Sequence, residues 1–70
     1  MSVGKNIETL RKKAGLSQNA LAKASGLSRM SIVRYETGER SPTIANLEKV
    51  ASALCIPVKE LLFIDKEVKP

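Results

Sequence analysis

Three glycines, Gly15, Gly26 and Gly38, divide the first part of this chain into short helix-length pieces. A glycine just past an apolar-periodic segment is a helix stop. The first piece reads as a helix over Gly4–Ala14, where Ile7, Leu10 and Ala14 recur at helical spacing as an apolar stripe. The second runs over Gln18–Ala24, with Leu21, Ala22 and Ala24 as its inward residues. The third runs over Arg29–Thr37 and turns Ile32 and Tyr35 inward. Ser17 and Ser28 precede the second and third segments as N-caps. A serine oxygen there accepts from the free amides of the first helical turn.

The second part continues in the same way. Glu39-Arg40-Ser41-Pro42 is a polar loop with turn chemistry. Thr43 then caps a fourth helix whose stripe is Ile44, Leu47, Val50, Ala51 and Leu54. Pro57 marks a break, and a short fifth helix over Val58–Phe63 carries Leu61 and Leu62. No strand alternation, internal repeat or linker interrupts the pattern. The expected fold is all-α: a compact five-helix bundle in one domain, residues 1–63, with Ile64–Pro70 as a C-terminal tail.

A chain of 70 residues is near the lower limit for a self-sufficient core. Cys55 is the sole cysteine and histidine is absent. An internal disulfide is therefore excluded, and a tetrahedral N/S zinc site has no ligand set. Regular helix packing and self-association remain as sources of stability. No apolar run approaches the length of a membrane span. Met1-Ser2-Val3-Gly4-Lys5 lacks the apolar stretch of a signal peptide, so the expected location is the cytoplasm.

The net charge of +5 is unevenly placed. Lys5, Arg11, Lys12, Lys13, Lys23, Arg29, Arg34 and Arg40 face only Glu8, Glu36 and Glu39 in residues 1–40. From residue 41 onward, Lys49, Lys59, Lys66 and Lys69 are balanced by Glu48, Glu60, Asp65 and Glu67. By itself this pattern fits either a solvated basic surface or an end that faces a polyanion.

The stretch Ser17–Gly38 narrows the choice. Two short helices are joined by Ser25-Gly26-Leu27-Ser28, a glycine-containing turn of the length found in a helix-turn-helix. Ala22 is small where the helices approach closely. Gly26 can take the positive φ of a sharp turn. Leu27 is an apolar residue able to plug the space between the helices. Ile32 and Tyr35 anchor one side of the third helix, and Arg29, Met30, Val33 and Arg34 are left for solvent or a groove.

The run GLSQNALAKASGLSRMSIVRYETGERSP resembles the Cro and lambda-repressor-like (XRE-type) helix-turn-helix family. The likeness extends over Ile7–Leu62 and includes Leu16-Ser17-Gln18, Tyr35-Glu36-Thr37-Gly38, Pro42 and Glu60-Leu61-Leu62. It implies that the third helix enters the DNA major groove while the second lies near the backbone. Base contacts then fall to Ser28, Arg29, Met30, Val33 and Arg34. Arg29 would read guanine as a bidentate pair and Met30 would meet a thymine methyl. Phosphate contacts fall to Gln18, Thr37 and Arg40. Charge alone would leave Arg29 and Arg34 as a solvated helix face. The family often pairs Arg11 with Glu36, which implies a structural ion pair from helix 1 to helix 3. It usually binds as a two-fold homodimer. Leu61, Phe63 and Ile64, from an apolar run at the uncharged end, are the expected dimer interface.

The sequence departs from the family at several positions. Asn19 and Ala20 stand where acidic residues are common, and Pro57 replaces a small polar cap. Cys55 stands where glycine is frequent and is expected to be a buried, inert thiol. The implied function is a sequence-specific transcriptional regulator, a repressor reading an inverted-repeat operator in double-stranded DNA. The alternative is an antitoxin or protein-interaction module on the same fold. The short tail offers little toxin-binding segment. An enzyme is not expected, since no nucleophile–base arrangement, phosphate loop or carboxylate pair is visible. No metal, cofactor or small-molecule ligand is expected.

Overall fold

The computed structural model describes residues 3–63, with side chains as far as Leu62. Five helices follow one another: α1 (Val3–Lys13), α2 (Gln18–Ser25), α3 (Arg29–Thr37), α4 (Ile44–Leu54) and α5 (Val58–Phe63). The all-α five-helix expectation holds, with the helix-turn-helix at α2 and α3. The Ile64–Pro70 tail lies outside the described residues.

Side-chain caps start three of the helices. Ser17 Oγ accepts from the Ala20 amide at 3.0 Å, Ser28 Oγ from the Ser31 amide at 3.0 Å, and Thr43 Oγ1 from the Asn46 amide at 3.1 Å. Each such cap contributes about 1 kcal/mol. One stop motif ends three helices. Leu16, Leu27 and Ile56 each donate a backbone N–H to the carbonyl five residues back, on Arg11, Ala22 and Ala51. These are Schellman closures, and the apolar residue that makes each bond packs against the core. The preceding residue must adopt the left-handed conformation. Gly26 does so at φ 77°, and Cys55 does so at φ 60° with no glycine to ease it.

The core is Ile7, Leu21, Ala22, Ile32, Tyr35, Leu47, Val50, Ala51, Leu54 and Leu61. Helix α3 packs on α1 and α2, α4 packs on α2, and α5 closes over α1 and α4. The approach of α1 to α3 depends on Gly4. A Cβ at that position would overlap the carbonyl oxygen of Tyr35.

Several expectations need correction. Ala14 and Ala24 are exposed, and α1 ends at Lys13 while α2 runs on to Ser25. The inner face of α1 is Ile7 together with the polar residues Asn6 and Arg11. Ile44 is 67% exposed, not part of the α4 stripe. A helical side chain covers the turn N-terminal to its own Cα, so an isoleucine in the first position projects past the helix end. Cys55 is exposed, not buried. Its left-handed backbone ends α4 and turns the chain, so Ile56 rather than Cys55 packs inward. Leu61 is fully buried. It is a core residue and not available as a dimer surface, because it is the inward side of a short helix. Asn6 Nδ2 donates to its carbonyl at 2.6 Å. Ile64 and the side chain of Phe63 lie outside the described residues.

Candidate nucleic-acid interface

Helix α3 has a buried side and an open side. Ile32 and Tyr35 are fixed in the core, and Asn46 Nδ2 donates to the Tyr35 hydroxyl at 2.7 Å. This ties α3 to α4 and fixes the rotation of α3 about its axis. Arg29, Met30 and Arg34 are exposed and Val33 is half-buried. These four residues form one continuous outward face. Arg29 has no hydrogen bond or ion pair among the described residues. Arg34 Nε lies 4.0 Å from Glu39 Oε2, an exposed and weak pair.

Two hydroxyls assigned to DNA are occupied within the chain. Ser28 Oγ accepts from the Ser31 amide and donates to Ser31 Oγ at 2.9 Å. Thr37 Oγ1 donates to the Arg34 carbonyl at 3.1 Å and accepts from the Glu39 amide at 3.3 Å. Both therefore shape the ends of α3. The Arg34 carbonyl also accepts from the Arg40 amide at 3.2 Å, which folds the loop back and presents Arg40 beside α3. The Arg40 side chain is exposed and unpaired among the described residues.

Below this face lies a polar network joining three helices. Arg11 Nε meets Glu36 Oε2 at 2.7 Å and Arg11 Nη2 meets Glu36 Oε1 at 3.1 Å. The side chains are only 9% and 4% exposed. Arg11 Nη1 also donates to the Leu16 carbonyl at 2.8 Å. The hydrogen bond to Glu36 raises the Arg11 pKa, so the arginine is charged throughout the neutral range. Gln18 Nε2 donates to Glu36 Oε1 at 3.0 Å, which brings α2 into the network.

An open cleft of about 500 Å³ lies between α2 and the start of α3. Its walls are Asn19, Ala20, Ala22, Lys23, Leu27 and Arg29, so an apolar floor carries a basic rim. Among the described residues, no three His, Cys, Asp or Glu side chains come together as a metal site. Nor is any described helix long and apolar enough to cross a membrane.

Residues 7–61 match the family model for the helix-turn-helix. The chain belongs to the Cro and lambda-repressor-like helix-turn-helix family. Within this family it is 40% identical over 63 residues to the HTH-type transcriptional repressor RghR of Bacillus subtilis strain 168. That likeness covers 89% of this chain and 47% of RghR, so the chain spans about half the length of that relative. Among solved structures it is similar to the restriction-modification controller protein C.AhdI from Aeromonas hydrophila. The TM-score is 0.82 at 41% identity, over 84% of this chain and 89% of that one. It is also similar to the P22 c2 repressor in complex with a synthetic operator. Here the TM-score is 0.80 at 33% identity, over 87% of this chain and 92% of that one.

Gly4, Asn6, Asn46 and the bond from Gln18 to Glu36 are not among the features expected from the sequence. A signal for Asn6 was present: it lies at helical spacing between Val3 and Leu10, on the side of α1 that faces the core. A polar residue within an apolar stripe is one that must find a buried partner. Gly4 gave no such signal, because only the approach of α3 reveals its role.

Proposed function

We propose that this chain is a sequence-specific transcriptional regulator that represses by occupying an operator in double-stranded DNA. The observation that carries this reading is the state of α3. Its inner side is immobilised by Ile32 and Tyr35, while Arg29 stands exposed, and unpaired among the described residues, at its capped N-terminus. A rigid helix offering a free guanidinium suits a major groove, where arginine pairs with guanine O6 and N7. In this reading Arg29, Met30, Val33 and Arg34 face base edges, Gln18 and Arg40 face phosphate, and Ser28 and Thr37 hold the helix ends. The family fold supports it, as does the likeness to a repressor solved with an operator.

A homodimer would place two copies of α3 about 34 Å apart on an inverted repeat. With Leu61 in the core, the contact would fall to Phe63, Ile64 and the outer side of α5. Residues 1–63 would act as the DNA-binding domain, in the cytoplasm, with no catalytic role, cofactor or small-molecule ligand.

Selection of bound sequences from a random DNA library at near-physiological salt tests this. The expected product is an enriched inverted repeat. Binding without enrichment would remove sequence-specific regulation and favour the protein-interaction alternative.

A further inference from the structure

Gln18 opens α2 half-buried, and its amide is held in one orientation. Its Nε2 donates to Glu36 Oε1 at 3.0 Å. A carboxylate only accepts hydrogen bonds, so the amide must turn its NH₂ group, and not its oxygen, toward Glu36. Glu36 cannot swing away, because Arg11 grips both of its oxygens at 2.7 and 3.1 Å in a buried site. The charge of Arg11 also offsets that of Glu36, so the carboxylate does not repel an anion arriving at α2. One N–H of the Gln18 NH₂ is left without an acceptor among the described residues. It stands at the first turn of α2, beside backbone amides that have no intrahelical partner.

We propose that Glu36 is a positioning residue for DNA binding: held by Arg11, it turns the Gln18 amide so that the second N–H of Nε2 meets one backbone phosphate. The proposal rests on the DNA-binding reading above. It gives the ion pair a role beyond stability, since the pair sets which atoms of Gln18 face outward. It also makes the contact directional. An amide free to flip would present its oxygen to the phosphate part of the time, and a fixed one does not.

The first test uses the free, full chain. The two side-chain amide protons of Gln18, assigned by their loss in Gln18→Ala, are expected to be well separated in NMR spectra, one of them protected from exchange. Two solvent-like protons would overturn the proposal. The second test scans the selected operator with single methylphosphonates, each of which removes one phosphate charge. Gln18→Ala is expected to lower affinity about tenfold and to abolish the sensitivity at one phosphate in each half-site. An unchanged scan, with operator binding intact, would overturn this proposal alone. Failure to select any DNA sequence would overturn it together with the proposed function. Where Glu36→Gln remains folded, adding Gln18→Ala to it is expected to weaken operator binding no further. Fully additive losses would assign Glu36 to the placement of α3 only.

Discussion

Arg11 Nε and Glu36 Oε2 lie 2.7 Å apart across the junction of α1 and α3, with both side chains almost out of contact with water. A buried pair of this kind gives little net stability over an apolar pair of equal volume, yet losing one partner is costly. Glu36→Ala leaves Arg11 with only the Leu16 carbonyl and is expected to cost about 3–5 kcal/mol. Arg11→Met/Glu36→Leu is expected to cost less than Glu36→Ala alone. Urea unfolding of the native chain and these two variants at neutral pH makes the comparison, and a double variant no more stable than Glu36→Ala would contradict it. Raising the pH is not expected to weaken the pair in the neutral range. The Arg11 pKa is raised by Glu36, so its contribution is present below the ordinary arginine value and lost only above the raised one.

Gly4→Ala sets two effects against each other. Alanine in a helix gains about 1 kcal/mol over glycine from propensity. The added Cβ, however, overlaps the Tyr35 carbonyl oxygen, which is backbone and cannot rotate aside. Overpacking dominates, with a net loss of about 2 kcal/mol expected. Thermal unfolding gives the sign, and a rise in Tm would show that α1 can move away from α3 freely.

At Cys55 the sign is the opposite. A left-handed conformation costs an L-residue about 1–2 kcal/mol, which glycine avoids. Glycine gives back about 0.4–1 kcal/mol through the freedom of the unfolded chain. Cys55→Gly is therefore expected to stabilise by about 0.5–1 kcal/mol, raising Tm by several degrees. The side chain is exposed, so no packing is lost. A lower Tm would mean that the thiol makes a stabilising contact.

These cases show which parts of the fold were legible in the sequence. Caps and stops are local, so Ser17, Ser28, Thr43 and the glycines located the helices almost to the residue. Helical periodicity found Leu47, Val50 and Leu54 but also enlisted Ile44 and Ala14. Those two lie at helix ends, where spacing no longer implies a neighbour. For the interface, the open face of α3 could be read from the anchors Ile32 and Tyr35. The local bonds of Ser28 and Thr37 could not, because a hydroxyl satisfied within its own loop looks the same in sequence as one left for DNA. Leu61 was misplaced for a related reason. An apolar run shows how many residues seek cover, but not which one finds it inside the bundle.

Arg40 is exposed, unpaired among the described residues and held beside α3 by its own backbone bond to Arg34. As a phosphate contact it should carry no sequence information. Arg40→Ala is expected to weaken binding to all DNA sequences alike and to make the log–log salt slope shallower by about one unit. Titrations on selected and scrambled duplexes over a range of salt would measure both quantities. An unchanged slope would remove Arg40 from the phosphate contacts.

In the proposed function, α3 reads bases through Arg29. Its most direct test is selection of bound sequences from one random library with the native chain and Arg29→Ala in parallel. An inverted repeat is expected for the native chain, and for the variant the loss of preference at one position in each half-site with the other positions retained. An identical preference from the two proteins, or a uniform weakening with no position relaxed, would contradict it.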